Sequence, residues 1–329
     1  MERVEPVLIC PDCTVDLGSA DTLSCDACGW RGEIREGIPI YLSRADREDP
    51  IMKEYIGNYD KICVDDLNES LIDDQFLRNI AGKTSLFVRD VEGATVCDIG
   101  SGKGYLAKSL LDRGASSVTT VDISLDYLLR LKDCHRLRPV LCNAENLPFR
   151  NEFDIMVTTD VMEHVLNLGS FLYAMNRALR IGGRVYVRVP YDEDLLSYSP
   201  HLGCSYRFVH LRSFNAKLLR MYLKNSGFVV EKIRHENFWL GIPREFWARY
   251  PSARSFYDWF KDQATKRLAH PTDITTWDSR IAGIFMQPQE LFVTARKIKE
   301  IDRHPGGGAL LRTDGSRDVG RHPAEANGG

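Results

Sequence analysis

Between Thr95 and Val189 the sequence alternates short apolar runs with stretches of helical spacing, and this alternation leaves few architectures open. Thr95-Val-Cys-Asp-Ile reads as a buried strand, Tyr105 to Leu111 as a helix, Ser117-Val-Thr-Thr-Val as a strand and Leu125 to Leu131 as a helix. Pro139-Val-Leu, Phe153-Asp-Ile-Met-Val and Arg184-Val-Tyr-Val-Arg-Val continue the strands, with a helix over Phe171 to Leu179 before the last. Right-handed crossovers place the intervening helices on both faces, so the pattern predicts a doubly wound α/β sheet. A helix over Ala216 to Lys224, a sixth strand from Phe228 and a seventh from Glu290 to Arg296 complete it.

The turn out of the first strand, Val96-Cys-Asp-Ile-Gly-Ser-Gly-Lys-Gly-Tyr, opens the first helix. That is where an open α/β sheet holds nucleotide-like ligands. Gly100, Gly102 and Gly104 let the backbone approach a ligand closely, and Asp98 lies just before them. Asp122 ends the second strand 22 residues beyond Gly100, where one carboxylate can accept both ribose hydroxyls. A dinucleotide fingerprint needs a third glycine at position 105, which is Tyr105 here.

The loop resembles motif I of the class I S-adenosylmethionine-dependent methyltransferases of type 11. Val121-Asp-Ile-Ser, Asn143-Ala-Glu-Asn-Leu-Pro-Phe, Leu179-Arg-Ile-Gly-Gly-Arg-Val and His210-Leu-Arg-Ser-Phe resemble later segments of that family in order. The resemblance implies a Rossmann-like seven-stranded sheet over residues 93–300 and S-adenosylmethionine as cofactor. It places Asp98, Gly100, Ser101, Gly102 and Gly104 at the methionine end. Asp122 with Ile123 falls at the ribose, and Asn143 with Ala144 at the adenine. Many relatives carry Asp where this chain has Asn143, whose amide oxygen remains an acceptor.

Methyl transfer from a sulfonium is an in-line displacement, so the protein's main task is to align the acceptor atom. After the fourth strand, Asp160, Glu163 and His164 stand at i, i+3 and i+4, which one helical turn would gather on one face. This D-x-x-E-H resembles the E-x-x-E-H of metal-assisted O-methyltransferases, which implies a magnesium-type site on Asp160, Glu163 and His164. A helix cap or a substrate-positioning role for Glu163 and His164 stays open beside it. Glu163, His164 and His210 are the candidate catalytic residues.

Nine cysteines, an odd number, do not form a disulfide framework. The opening Met1-Glu-Arg-Val-Glu-Pro lacks a signal-peptide layout and no apolar run is long enough for a membrane span, so a cytoplasmic protein is expected. Cys10, Cys13, Cys25 and Cys28 form two C-x2-C knuckles, which together offer four thiolates to one tetrahedral ion. Zinc suits them best, with an iron–sulfur cluster as the rival. Leu8-Ile-Cys-Pro-Asp-Cys, Cys-Gly-Trp and Glu36-Gly-Ile-Pro-Ile-Tyr-Leu42 resemble the small zinc ribbon of the activator subunit of tRNA and protein methyltransferases. A closed four-thiolate site leaves no open coordination position, so the zinc is read as structural.

The expected organisation is a zinc ribbon (1–44), a linker with helices (45–92), the methyltransferase domain (93–300) and a disordered tail (301–329). An aromatic insertion at 236–288 interrupts the third. In it Trp239, Phe246, Trp247, Tyr250, Trp259 and neighbours could line an acceptor pocket, a lid or a dimer contact, or form one buried helix face. Lys and Arg number 43 against 46 Asp and Glu, a net charge of −3, which lowers the prospect of a nucleic-acid partner. The preferred reading is O-methylation of a small molecule, glycan or lipid-linked intermediate. An RNA methyltransferase is the first alternative. A non-catalytic partner protein acting through its ribbon is the second.

Overall fold

The computed structural model describes residues 7–18, 23–71, 73–239, 287–303 and 309–311, together with Trp259. The amino-terminal segment supplies strands β1 (Val7–Ile9), β2 (Asp16–Gly18), β3 (Glu33–Arg35) and β4 (Ile38–Ile40). Three helices follow, α1 (Arg44–Glu48), α2 (Pro50–Glu69) and α3 (Asp74–Phe87), each started by a side-chain cap from Ser43, Asp49 or Asp73. Alternation then sets in: β5 (Thr95–Ile99), α4 (Tyr105–Asp112), β6 (Ser117–Asp122), α5 (Leu125–Leu129), β7 (Leu137–Leu141), the short β8 (Phe149–Arg150), β9 (Phe153–Thr159), α6 (Leu168–Ala178) and β10 (Leu179–Pro190). The chain continues through α7 (Ala216–Asn225), β11 (Phe228–Trp239), β12 (Gln287–Lys297), β13 (Ile301–Arg303) and β14 (Ala309–Leu311).

Among the described residues nine strands form the central sheet in the order β11-β12-β10-β9-β5-β6-β7-β4-β3. The first seven match the expected seven-stranded sheet, parallel from β10 to β7, with β12 antiparallel between β10 and β11. Val96, Cys97, Asp98 and Ile99 on β5 are all buried, as a central parallel strand covered on both faces requires. On one face α3 and α4 bury Ala81, Leu106, Ala107 and Leu110 against Val96, Val118, Ile155 and Val157. On the other, Phe171, Leu172 and Met175 of α6 and Leu219 and Leu223 of α7 join a core that includes Cys97, Ile99, Val185 and Val187.

The amino-terminal strands are built into this body. Ile40 pairs with Leu141 and the Tyr41 N–H donates to the Leu141 carbonyl at 2.8 Å, so β4 and β3 extend the sheet beyond β7. On a second small sheet β1 pairs with β2 and with β8, and Trp30, 1% exposed, packs in the same core as Phe149 and Phe153. The structure departs from the expected disordered tail at its start. Ile301 is buried, its N–H donates to Asn176 Oδ1 at 3.3 Å, and β13 pairs with β14. The remainder of 304–329 lies outside the described residues, as does the insertion from 240 to 286 apart from the exposed Trp259. The acceptor-pocket expectation for Phe246, Trp247 and Tyr250 therefore lies outside them too. Among the described residues no helix is long and apolar enough to cross a membrane.

Candidate functional site

The loop after β5 can be built only from glycine at two of its positions. Gly100 has φ +69° and a Cβ there would lie 2.3 Å from Val161 Cγ2. Gly104 has φ +73° and a Cβ there would lie 2.5 Å from Leu131 Cδ2. The loop is held to β6: the Gly100 and Ser101 N–H groups donate to the Val121 carbonyl, and the Gly102 N–H donates to Asp122 Oδ2 at 2.9 Å. Asp122 Oδ1 accepts from the Ser124 N–H at 3.0 Å. Each oxygen keeps a lone pair for a ligand hydroxyl.

Asp98, 1% exposed, lies beneath the loop, and its Oδ2 accepts no hydrogen bond. Burial first, then the neighbouring Asp122 charge, push its carboxyl up to about 7. Asp122 is also raised, chiefly by burial. Two buried acids side by side, one with a bare oxygen, form a site that a cation with N–H donors would stabilise. That is the chemistry of the ammonium group of S-adenosylmethionine. Ser101 Oγ is likewise buried without a partner. Ile123 and Ala144 stand partly exposed at the ends of β6 and β7. Asn143 caps the turn Ala144–Asn146, accepting from the Glu145 N–H at 2.9 Å.

Helix α2 straps these strand ends. The Ser124 hydroxyl donates to Asp60 at 2.6 Å, Tyr127 donates to Asp66 at 3.0 Å, and Lys103 of the glycine loop pairs with Asp66 at 3.1 Å. From the same stretch of the helix Tyr59 donates to the Phe208 carbonyl at 3.0 Å, and Asp65 accepts from Tyr206 at 2.9 Å. The sequence marked this region only as helical.

Past Val161 the chain turns rather than forming the expected helix, and Asp160 separates from the other two predicted metal ligands. Asp160 takes φ +54° and pairs with Arg188, which also holds Glu290. It is therefore turned away from Glu163 and His164. His210 takes its place: one donor atom each from Glu163, His164 and His210 lies within 4.8 Å of the others. Glu163 is 0% exposed and neither of its oxygens accepts a hydrogen bond, so burial drives its carboxyl up to about 8. His164 Nδ1 donates to the Val209 carbonyl, since a carbonyl can only accept. Burial first, then His210, lower this imidazole to about 4.

His210 is oriented by residues the sequence did not flag. Its Nδ1 is bonded to Glu193, which also accepts from Tyr198 at 2.7 Å, and the Tyr198 ring stacks on the imidazole with centroids 4.1 Å apart. The His164 and His210 rings meet edge to face at 4.6 Å. Arg212 clamps the turn by donating to the Met162, Val165 and Leu166 carbonyls. Glu193 lies just before a one-turn 3-10 helix, Leu195–Tyr198, and Tyr198 ends it, a stretch too short for periodicity to expose either residue.

The four amino-terminal cysteines come together with their sulfurs within 4.8 Å of one another, Cys10–Cys28 and Cys13–Cys25 each at 3.5 Å. Four thiolates at about 2.3 Å from one tetrahedral zinc would stand roughly 3.8 Å apart, so the donor set fits that ion. The knuckles are tied to the turn after β7 and to the start of α1: Asn146 donates to the Pro11 carbonyl at 2.6 Å, and Arg44 donates to Asp12 and to the Cys28 carbonyl.

The chain is 28% identical over 181 residues to a ubiquinone biosynthesis O-methyltransferase of Rhizobium etli, covering 53% of this chain and 63% of that protein. It is 28% identical over 135 residues to the mitochondrial ubiquinone biosynthesis O-methyltransferase of Dictyostelium discoideum, covering 36% and 42%. The chain thus spans less than two thirds of either relative. Its fold matches a chain of the complex between the Haloferax volcanii Trm112 methyltransferase activator and a methyltransferase, with a TM-score of 0.50 at 19% identity over 72% of this chain and 97% of that one. Residues 97–187, which run from the first strand through the Glu163 turn to the fifth, match the Methyltransf_11 family and are a methyltransferase domain.

Proposed function

We propose that the protein transfers the methyl group of S-adenosylmethionine to a hydroxyl of a small molecule, glycan or lipid-linked intermediate. The observation that carries this reading is the Glu163–His164–His210 cluster, a buried carboxyl group with no hydrogen-bond partner beside two imidazoles, on the turn whose Val161 packs against Gly100. In this reading Asp98 meets the ammonium of the cofactor, Asp122 the ribose and Asn143 the base. Val161 sets the distance from the glycine loop to the acceptor side. The cluster then stands where an acceptor hydroxyl must be aligned and relieved of its proton, work worth roughly 10² to 10⁴-fold.

The same three side chains could hold a divalent cation, which would supply Lewis acidity toward the acceptor oxygen. Two imidazoles and one carboxylate suit manganese, iron or zinc better than magnesium. The cysteine site would hold zinc as a structural ion, and nine unpaired thiols suit a cytoplasmic setting. Incubation with methyl-labelled S-adenosylmethionine and separated metabolite, protein and RNA fractions of the host tests the acceptor. Label in alkali-stable small molecules supports the proposal, and label confined to RNA favours the RNA methyltransferase alternative.

A further inference from the structure

The strand ends would lay out a nucleoside in chain order. The glycine loop follows β5, Asp122 ends β6 and Asn143 follows β7, with the Cys142 N–H donating to the Asp122 carbonyl at 3.3 Å. A base on a ribose held by Asp122 falls against Asn143; this step rests on the cofactor reading above.

Asn143 is only 6% exposed and its polar atoms are committed in one sense. Nδ2 donates to Asp46 Oδ1 at 2.7 Å and faces Met52 Sδ at 3.8 Å. Oδ1 accepts from the Glu145 N–H and keeps one lone pair. Asp46, 5% exposed, belongs to α1, outside the matched methyltransferase domain. Its Oδ2 accepts from the Ser43 N–H at 2.8 Å and the Ser43 hydroxyl at 2.6 Å. An asparagine amide can turn over and offer a donor or an acceptor in the same space. A carboxylate only accepts and the Glu145 N–H only donates, so Asp46 and that N–H together fix which end it offers. The negative charge beside the N–H also draws electron density onto the amide oxygen.

We infer that Asp46 is a positioning residue for base recognition. It holds Asn143 as an acceptor for the exocyclic amino group of a 6-aminopurine and sets it against a 6-oxopurine, whose oxygen would face the Asn143 oxygen. The α1 carboxylate thus does through Asn143 what a carboxylate at position 143 would do directly. An unpaired acceptor facing an acceptor amounts to roughly 10- to 100-fold in binding.

Titration calorimetry of the full chain with S-adenosylhomocysteine and with its 6-oxo analogue, S-inosylhomocysteine, tests this. The wild type should favour the amino compound by about tenfold or more. Asp46→Ala should narrow the ratio to about threefold, because the amide then loses the charge that polarises it and one of the two bonds that fix its sense. Ser43→Ala removes the hydroxyl that donates to Asp46 while leaving the backbone N–H, and should keep the wild-type ratio. Since Asp46→Ala empties a buried site, the exchange of Asp46→Asn with Asn143→Asp is measured beside it. The exchange keeps one carboxylate and one amide in contact and should retain the preference. A folded Asp46→Ala protein with the wild-type ratio, or an exchange variant with no preference, overturns the inference. A wild type that binds neither compound overturns the cofactor reading as well.

Discussion

Gly100 and Val161 share one space: a Cβ on the glycine would lie 2.3 Å from Val161 Cγ2. The loop that would hold the cofactor and the turn that carries Glu163 and His164 are therefore in van der Waals contact. Gly100→Ala should destabilise the fold by about 1–3 kcal/mol through overpacking and a strained positive φ. Adding Val161→Ala should recover the packing part only. Urea denaturation of the two variants against wild type measures both terms.

Asp98 should make cofactor binding dependent on pH. Its carboxyl is raised from about 3.9 in the unfolded chain to about 7 in the fold. Between those values the native state binds more protons than the unfolded one. This group therefore makes the ligand-free protein less stable as pH rises from about 4 to about 7, and contributes no further slope above that. Asp98→Asn should flatten this part of the stability profile. A cationic ligand favours the ionised acid, so affinity for S-adenosylmethionine should rise through pH 7 in wild type and lose that slope in Asp98→Asn. Calorimetry in buffers of different ionisation enthalpy should also detect the released proton.

Removal of a cysteine ligand should act on stability before chemistry. Cys13→Ser should abolish one bound zinc per chain, read by elemental analysis. It should lower the melting temperature by roughly 5–10 °C, the shift expected for a few kcal/mol in a domain of this size. The contacts at Pro11 and Cys28, to the turn after β7 and to α1, are the route by which the loss would reach the rest of the fold.

Glu163 and Asp160 should separate cleanly. Glu163→Gln should lower kcat by about 10²-fold or more with little change in cofactor affinity. Asp160→Asn should instead lower stability by about 1–3 kcal/mol, because it removes a carboxylate from the buried Arg188. Loss of metal-dependent activity in Asp160→Asn with Glu163→Gln unaffected would return Asp160 to the ligand set. Steady-state kinetics with and without chelator resolve the two.

The seven-stranded sheet was legible because strands buried on both faces are continuous apolar runs, and the glycine loop, Asp98 and Asp122 mark their ends. The Glu163 turn was legible only in part. The i, i+3, i+4 spacing presumes a helix, whereas Asp160 adopts a positive φ and is drawn off by Arg188 on the neighbouring strand. His210 joins from a distant loop because Glu193 and Tyr198 hold it, a grouping that exists only after folding. The extension of the sheet by β4 rests on the single pair Ile40–Leu141, and the strap formed by α2 on scattered polar contacts. Local patterns do not encode pairings of that kind.

The central claim is that the strand ends around Asp98 and Asp122 bind S-adenosylmethionine. Its most direct test is calorimetric titration of the cofactor into wild type and Asp122→Ala. The account predicts one site per wild-type chain and at least about tenfold weaker binding in the variant, the loss expected when a charged acceptor of ribose hydroxyls is removed. No binding to folded wild type, or equal binding to Asp122→Ala, would contradict it.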